Sequence, residues 1–301
     1  MRKTADLARG KWRGILLQLG VDERFLTGKH GPCPMCEGTD RFRWDNRNGE
    51  GSFICNQCGA GNGFNLLMQV KGWDFKTAAE EVDRVIGNVE AEVPKPKIDP
   101  RQRADMLNRL WSTGVPVCPG DMAHRYLSSR VSLPVQMPNC LRFTDRAPVP
   151  GTNDFLPAML ALVMDAEGKP ATIHRTFLGP NGKADIDTPR ALMPGEVRDG
   201  AAVRLFKVDG PKLGIAEGIE TAFAAAHKFQ MPVWSAINAR LLEKWVPPAG
   251  IEEVVVFGDS DPKFGGQAAA YALAHRLAAR LHLKTSVEIP NGIGMDWADA
   301  A

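Results

Sequence analysis

Apolar residues between Leu7 and Leu19 recur at helical spacing (Leu7, Trp12, Ile15, Leu16 and Leu19), with Arg9, Lys11 and Arg13 between them, which predicts a basic amphipathic helix. Short β-like runs follow at Arg41–Trp44 and Ser52–Ile54. Phe64–Val70 and Phe75–Ile86 then read as two amphipathic helices packing back on a small front module. Asn88–Pro100, with Pro94, Pro96 and Pro100 among charged residues, reads as a linker. Beyond it the pattern predicts helices at Arg101–Trp111 and Met122–Ser129, with a Pro-rich loop between them.

From residue 155 the character changes. Leu160–Met164, Thr172–Leu178 and Ala202–Val208 are strand-like, with turn signals at Asp165–Gly168 and Asn181–Gly182, so an antiparallel, β-rich stretch is expected. From Leu213 strand and helix patterns alternate: strands at Leu213–Ala216, Val233–Ile237, Glu253–Phe257 and Thr285–Ile289, helices at Glu220–Phe229, Leu241–Trp245 and Gln267–Leu281. In the last helix Tyr271, Ala274, Leu277, Ala278 and Leu281 form the expected apolar stripe. Alternation of this kind implies a parallel sheet with flanking helices and ligands beyond the carboxyl ends of its strands. The chain is therefore read as α/β (α+β overall). It divides into a front module over 1–87, a linker over 88–100, a helical and β-rich subdomain over 101–209, and a parallel-sheet domain over 210–301.

Composition narrows the classes. With 44% apolar and 24% charged residues in 301, the chain is globular, and no apolar run approaches a membrane span or a signal-peptide core, so a cytoplasmic protein is expected. The net charge of +2 is uninformative, but its distribution is not. Residues 1–30 carry seven Lys/Arg against three Asp/Glu, while 210–301 carry eight against ten, which suits phosphate binding in front and metal binding behind, or equally a solvated basic helix in front.

Four of the six cysteines form Cys33-Pro-Met-Cys36 and, eighteen residues on, Cys55-Asn-Gln-Cys58. Zn²⁺ takes four tetrahedral thiolate or imidazole ligands, and each C-x2-C turn presents two sulfurs, so one structural Zn²⁺ is expected. His30 lies outside the paired spacing, and Cys118 and Cys140 stand alone and are expected as buried small hydrophobes. Between the pairs, Arg41, Phe42, Arg43 and Trp44 alternate basic and aromatic residues. On a strand, the arginines would face nucleic-acid phosphates, while the aromatics either stack on bases or fill the module's core. The runs His30-Gly-Pro-Cys-Pro-Met-Cys, Asp40-Arg-Phe-Arg-Trp and Ile54-Cys-Asn-Gln-Cys-Gly-Ala-Gly-Asn-Gly resemble the zinc-binding domain of phage and plasmid primases, which is related to that of bacterial DnaG-type primases. The resemblance covers roughly residues 28–70 and implies a zinc ribbon that engages template DNA.

Carboxylates carry the second signal. Glu217 follows one expected strand in Gly214-Ile-Ala-Glu-Gly-Ile-Glu-Thr-Ala, and Asp259 and Asp261 follow another in Val256-Phe-Gly-Asp-Ser-Asp. Parallel strands bring both loops to one edge, where converging anionic oxygens need a hard cation such as Mg²⁺. The set resembles the Toprim domain of primases, topoisomerases and related nucleases. That resemblance implies Glu217 as catalytic glutamate and Asp259 and Asp261 as ligands of Mg²⁺ or Mn²⁺. Pro290-Asn-Gly-Ile-Gly-Met-Asp-Trp-Ala-Asp resembles the acidic closing motif of phage-type Toprim domains, so Asp296 or Asp299 either adds a magnesium ligand or caps a C-terminal turn. Glu220 reads as a first-turn helix charge, and His174 as a structural histidine.

Residues 100–209 hold fourteen Lys/Arg against eleven Asp/Glu, and DnaG-like primases place a basic subdomain before the Toprim fold. Arg175 and Lys183 are the expected phosphate contacts there, beside Arg41 and Arg43 in front, where Trp44 is the candidate for stacking on a base. Together the resemblances imply a DNA primase that makes short RNA primers on single-stranded DNA from ribonucleoside triphosphates, in phage, plasmid or mobile-element replication. No G-x-x-x-x-G-K-[ST] occurs, so a replicative helicase is expected as a separate partner. The alternatives are a Toprim nuclease or topoisomerase-like enzyme, and a non-catalytic zinc-dependent DNA-binding protein. Only Tyr126 and Tyr271 could serve a topoisomerase as nucleophile.

Overall fold

Residues 4–91, 98–195 and 197–300 are described by the computed structural model, so the centre of the expected linker, residues 92–97, lies outside the described residues. The chain forms two compact units, Met1–Lys97 and Ile98–Ala301.

In the first unit the expected single amphipathic helix is two, α1 (Thr4–Ala8) and α2 (Trp12–Gln18), because Gly10 turns the chain at φ 77° between them. Leu7, on the wrong side of that turn, is exposed. A three-stranded antiparallel sheet follows, β1 (Phe42–Trp44), β2 (Phe53–Cys55) and β3 (Gly59–Gly61), the last not foreseen from sequence. Helices α3 (Gly63–Lys71) and α4 (Phe75–Val85) complete it. Both start on side-chain caps: Asn62 and Asn65 form a reciprocal capping box, and Asp74 accepts from the Thr77 N–H. The core gathers Trp12, Ile15, Leu16, Phe42, Trp44, Phe53, Phe64, Leu66 and Leu67. Trp12 lies so close over α3 that a Cβ at Gly63 would meet its ring at 2.1 Å, so glycine is required there.

The second unit opens with α5 (Pro100–Thr113), capped by Asp99 with Pro100 in its first turn, then β4 (Val115–Pro116) and α6 (Met122–Ser128). Antiparallel strands β5 (Leu141–Pro148), β6 (Phe155–Met164), β7 (Pro170–Gly179), β8 (Gly182–Lys183), β9 (Arg190–Leu192) and β10 (Ala202–Val203) follow. Then come β11 (Lys212–Ala216), α7 (Ile219–Phe229), β12 (Val233–Ser235), α8 (Ala239–Glu243), β13 (Glu253–Phe257), α9 (Gly265–Leu281) and β14 (Lys284–Glu288). The last four strands are parallel in the order β14-β13-β11-β12, and the alternation read from sequence gives every one of them.

The parallel and antiparallel parts are one sheet. Val203 of β10 pairs with Ser235 of β12 on one side and with Val163 of β6 on the other. Among the described residues eleven strands join in this way. The expected strand Ala202–Val208 stops at Val203 once that splice is made. In α9 the buried face is Ala269, Ala270, Leu273, Ala274 and Leu277, whereas Tyr271 is 58% exposed and Ala278 and Leu281 are also exposed, which corrects the expected stripe. The helix is so rich in alanine that its larger residues do not mark the buried side. Small side chains let α9 approach the sheet closely. Among the described residues no helix is long and apolar enough to cross a membrane.

Candidate active site

The front unit brings Cys33, Cys36, Cys55 and Cys58 together with all four sulfurs within 4.8 Å of one another. Cys33 and Cys58 sulfurs lie 3.9 Å apart and those of Cys36 and Cys55 3.8 Å apart. A tetrahedral ion with zinc–sulfur bonds of about 2.3 Å needs sulfurs about 3.8 Å apart, so the spacing fits Zn²⁺. Backbone N–H groups of Met35, Gln57 and Cys58 point at the first sulfur of each pair at 3.4 Å, and the hydrogen bond from the backbone of Gly38 holds the Cys36 thiol down at about 7. Such donors favour thiolate, the form a metal takes. His30 is exposed and outside this group.

The strand between the cysteine pairs resolves its own ambiguity. Phe42 stacks on Phe53 at 5.6 Å, and Phe42 and Trp44 are 1% and 5% exposed. Alternation therefore puts both rings inside and Arg41, Arg43 and Ile54 outside. Trp44, expected as a base-stacking residue, is core; a ring buried on that face has no side left for a base. Arg41 donates to Gln57 at 3.2 Å, and Arg43 lies 3.9 Å from Asp45.

In the second unit, β11 and β13 end at the same sheet edge and release Glu217 and then Asp259 and Asp261 there. Ser235, fully buried at the end of β12, donates to the Glu217 carbonyl at 2.8 Å and fixes that backbone. The Glu217 carboxylate accepts from the Ala239 N–H at the start of α8. The turn into α8 holds Ile237 at φ 74°, a left-handed conformation costly for a β-branched side chain. Asp261 accepts from Gly266 N–H at 2.7 Å, and its backbone exchanges two 3.1 Å hydrogen bonds with the Gln267 amide. At Gly266 a Cβ would meet the Asp259 carbonyl at 2.8 Å, so α9 approaches this loop as only glycine allows.

Charge accumulates at the edge. Burial, with the charge of Asp261, raises Glu217 above the usual carboxylate range. Asp259 is pushed up to about 7 by burial and by Glu217, Asp296 and Asp261, and its Oδ1 is buried without a hydrogen-bond partner. A buried orphan oxygen among mutually repelling carboxylates is a fitting site for a hard divalent cation. The three carboxylates interact without being drawn as tight as the cysteines, which among the described residues are the one metal-spaced group.

Asp296 and Asp299 cap each other's backbone, Asp299 N–H to Asp296 at 2.9 Å and Asp296 N–H to Asp299 at 3.4 Å, and both pair with Arg130, at 3.5 and 3.0 Å. They are held there by Trp297, which packs edge-on against Phe229 and Phe257 at 5.3 and 6.0 Å, and by the Ser260 N–H donated to Met295. Asp296 remains close enough to raise Asp259.

Sequence reasoning misread two residues here and missed a third. Glu220 is buried, not a solvated first-turn charge; it accepts from Tyr126 and, at 2.6 Å, from Arg190. The signal was available, because Thr221, Ala222, Phe223, Ala224 and Ala225 make the start of α7 apolar all round, leaving a carboxylate there no solvent to face. Arg190, not singled out from sequence, lowers both Glu217 and Asp259 by its charge. Arg175, expected as a phosphate contact, is 2% exposed and donates to the Pro148 and Leu192 carbonyls, so it is a buried tie between strands. Lys183 does reach the acidic edge. Its ammonium lies 5.9 Å from the Tyr126 ring, and burial with the Arg190 charge pulls it below its ordinary value. His174 is buried beside Arg190 and Glu220, held neutral by burial at about 4.

The first unit thus carries four cysteines at metal spacing, and the second an acidic edge on a parallel sheet. Family models make the parts specific: the zinc-binding domain of primase-helicase matches residues 28–64, a domain of unknown function (DUF7146) matches 101–205, and the Toprim domain matches 212–301. The chain thus joins a primase-type zinc-binding domain to a Toprim domain. Among solved structures it is similar to the Aquifex aeolicus primase zinc-binding and RNA polymerase domains (15% identity over 99% of this chain and 82% of that one, TM-score 0.37). It is also similar to the primase fragment of the bacteriophage T7 primase-helicase protein (16% identity, 90% and 93%, TM-score 0.40). A DNA primase domain from Pseudomonas aeruginosa matches at 13% identity over 51% of this chain, which spans half the length of that one, with TM-score 0.36. At these identities no residue role passes from those structures to this chain.

Proposed function

We propose that this chain is a DNA primase that synthesises short RNA primers on single-stranded DNA from ribonucleoside triphosphates, in phage, plasmid or mobile-element replication, working with a replicative helicase. The observation that carries the reading is the buried Asp259 oxygen, left without a hydrogen-bond partner beside Glu217 and Asp261, in a chain that also bears a primase-type zinc-binding domain. Mg²⁺ or Mn²⁺ at this edge, held by Glu217, Asp259 and Asp261, would orient the triphosphate and lower the pKa of the primer 3′-hydroxyl. Asp259, raised to about 7 by burial and its acidic neighbours, would hold a cation as the carboxylate, so cation binding at this edge is expected to weaken as pH falls below 7. Glu217 either shares the cation or accepts the hydroxyl proton, and its raised pKa suits the second role as well as the first. Asp296 raises Asp259 through its charge, while Arg130 pairs with both closing aspartates and offsets theirs. Lys183 offers positive charge to phosphates at the mouth, and Arg41 and Arg43 offer it to the template backbone from the zinc module.

The test is primer synthesis on single-stranded DNA with labelled ribonucleotides and Mg²⁺. Glu217→Gln, Asp259→Asn and Asp261→Asn keep side-chain size and lose the charge. Each is expected to cut the rate on the order of a thousandfold while DNA binding persists. Folded Glu217→Gln and Asp259→Asn proteins that still prime near the wild-type rate would place the chemistry elsewhere.

A further inference from the structure

Glu220 is where three elements of the second unit meet. It sits in the first turn of α7, accepts from Tyr126 of α6, and pairs at 2.6 Å with Arg190, the first residue of β9. Its side chain is 6% exposed while that of Arg190 keeps 44%. A buried carboxylate–guanidinium pair is a costly way to fill space, since apolar side chains of similar volume serve stability as well or better. What such a pair does supply is direction. Glu220 and Tyr126 hold the Arg190 guanidinium, whose side chain stays partly exposed and close enough to Glu217 and Asp259 for its charge to favour their ionised forms. The two residues line one small cleft with His174, Gly218, Ile219 and Ile237, Gly218 being the neighbour of Glu217 in the chain. Arg130 and Lys183 are close by, so positive charge is concentrated beside the acidic edge. Concentrated charge next to metal-ligating carboxylates matches a polyphosphate better than the singly charged phosphates of a DNA strand.

We propose that Glu220, with Tyr126, is a positioning residue that aims the Arg190 guanidinium at the triphosphate of a ribonucleotide bound beside Glu217 and Asp259. The assignment rests on the primase reading and adds to it a residue outside the acidic set. It requires that Glu220 act only through Arg190. A carboxylate that merely held the fold together would change stability and overall rate, with no preference for one substrate.

The experiment is steady-state primer synthesis by the full chain with Mg²⁺, together with calorimetric binding of ATP and of single-stranded DNA. The variants are Arg190→Gln, Glu220→Gln, Tyr126→Phe and the Glu220→Gln/Arg190→Gln pair. Arg190→Gln is expected to raise the nucleotide KM and the ATP Kd roughly tenfold or more, the loss of a charge-assisted contact. Glu220→Gln, which keeps shape but not charge, is expected to raise both several-fold, with kcat moving less than KM, and Tyr126→Phe to shift them less in the same direction. The double variant should be no worse than Arg190→Gln alone, because both changes remove one interaction. DNA affinity should stay within about twofold of wild type in all of them, since none touches the zinc module. A Glu220→Gln protein with wild-type KM, an effect that adds fully to that of Arg190→Gln, or a loss confined to kcat or to DNA affinity overturns the assignment. Should Glu220→Gln fail to fold, the same cycle with Tyr126→Phe and Arg190→Gln decides by the same criteria. Wild-type protein that neither primes nor binds ATP overturns the primase reading and the assignment together. Wild-type priming with an indifferent Glu220 overturns the assignment alone.

Discussion

Asp259→Asn should stabilise the metal-free protein while disabling it. Burial and the neighbouring carboxylates raise Asp259 from an ordinary 3.8 to about 7, so the fold is strained by its own acidic edge. The sign follows from linkage: a group whose folded pKa is raised holds a proton that the unfolded chain has released, so stability falls as pH rises from 3.8 to about 7 and stays low above it. That interval corresponds to about 4 kcal/mol at most, and relaxation of the exposed part of the site reduces it, so about 2–4 kcal/mol is expected at pH 8. Asparagine carries no such penalty. For a unit of this size, the gain is about 5–15 °C in melting temperature. The assay is differential scanning calorimetry with a chelator present at pH 4, 5, 6, 7 and 8. The variant should melt with wild type at pH 4 and progressively above it through pH 7, and saturating Mg²⁺ should raise wild type and leave the variant nearly unmoved. A variant no more stable than wild type at pH 8, or a difference that does not change with pH, would refute the electrostatic account of this edge.

Purified without added metal, the chain should hold about one Zn²⁺, and Cys33→Ser or Cys58→Ser should lose it; elemental analysis decides. Removing that ion with a strong chelator should unfold the front unit, read as loss of near-ultraviolet signal from its buried Trp12 and Trp44, because a module this small depends on its metal. Single-stranded DNA affinity should fall steeply with added salt, and Arg41→Ala with Arg43→Ala should flatten that slope, whereas a salt-indifferent Kd would remove phosphates from the interface. Arg175→Met should cost stability by roughly 2–4 kcal/mol through two unpaired carbonyls, and leave the salt slope of DNA binding unchanged in titrations of the folded fraction.

The parts legible from sequence were those in which one residue type can do only one thing. Paired cysteines three apart must turn back on a common centre, and valine-rich runs such as Glu253–Phe257, bounded by glycine and aspartate, have no stable home except a buried parallel strand. Where several outcomes are chemically open, the pattern failed. β5, Leu141–Pro148, alternates poorly because Arg142, Asp145 and Arg146 sit in it and a register shift between Thr144 and Ala147 breaks its period. Trp44 and Arg175 have side chains equally suited to nucleic acid and to interior packing, and only the strand's facing and the carbonyls around it decide. Glu220 was misread because a carboxylate in a first turn is ordinary on a solvated helix, and solvation is a property of what packs around α7. Arg190 was missed for the same reason: its partner lies thirty residues away in the chain.

The two-residue strand β10 bears on how this protein can be divided. The family models meet at residues 205 and 212, and a chain severed there would follow the apparent modules. The cut would also fall between β10 and β12, whose pairing joins the two halves. The carboxyl-terminal piece would present the edge of β12 that Val203 pairs at Ser235, and Trp234 would lose the Arg204 guanidinium stacked 4.7 Å over it. An open, apolar strand edge pairs with whatever strand it meets, most often a second copy of itself. Modules that look separable by ancestry are, in this chain, a single hydrogen-bonded object, and recombining either half with a foreign neighbour would demand a replacement for Ala202 and Val203 before anything else.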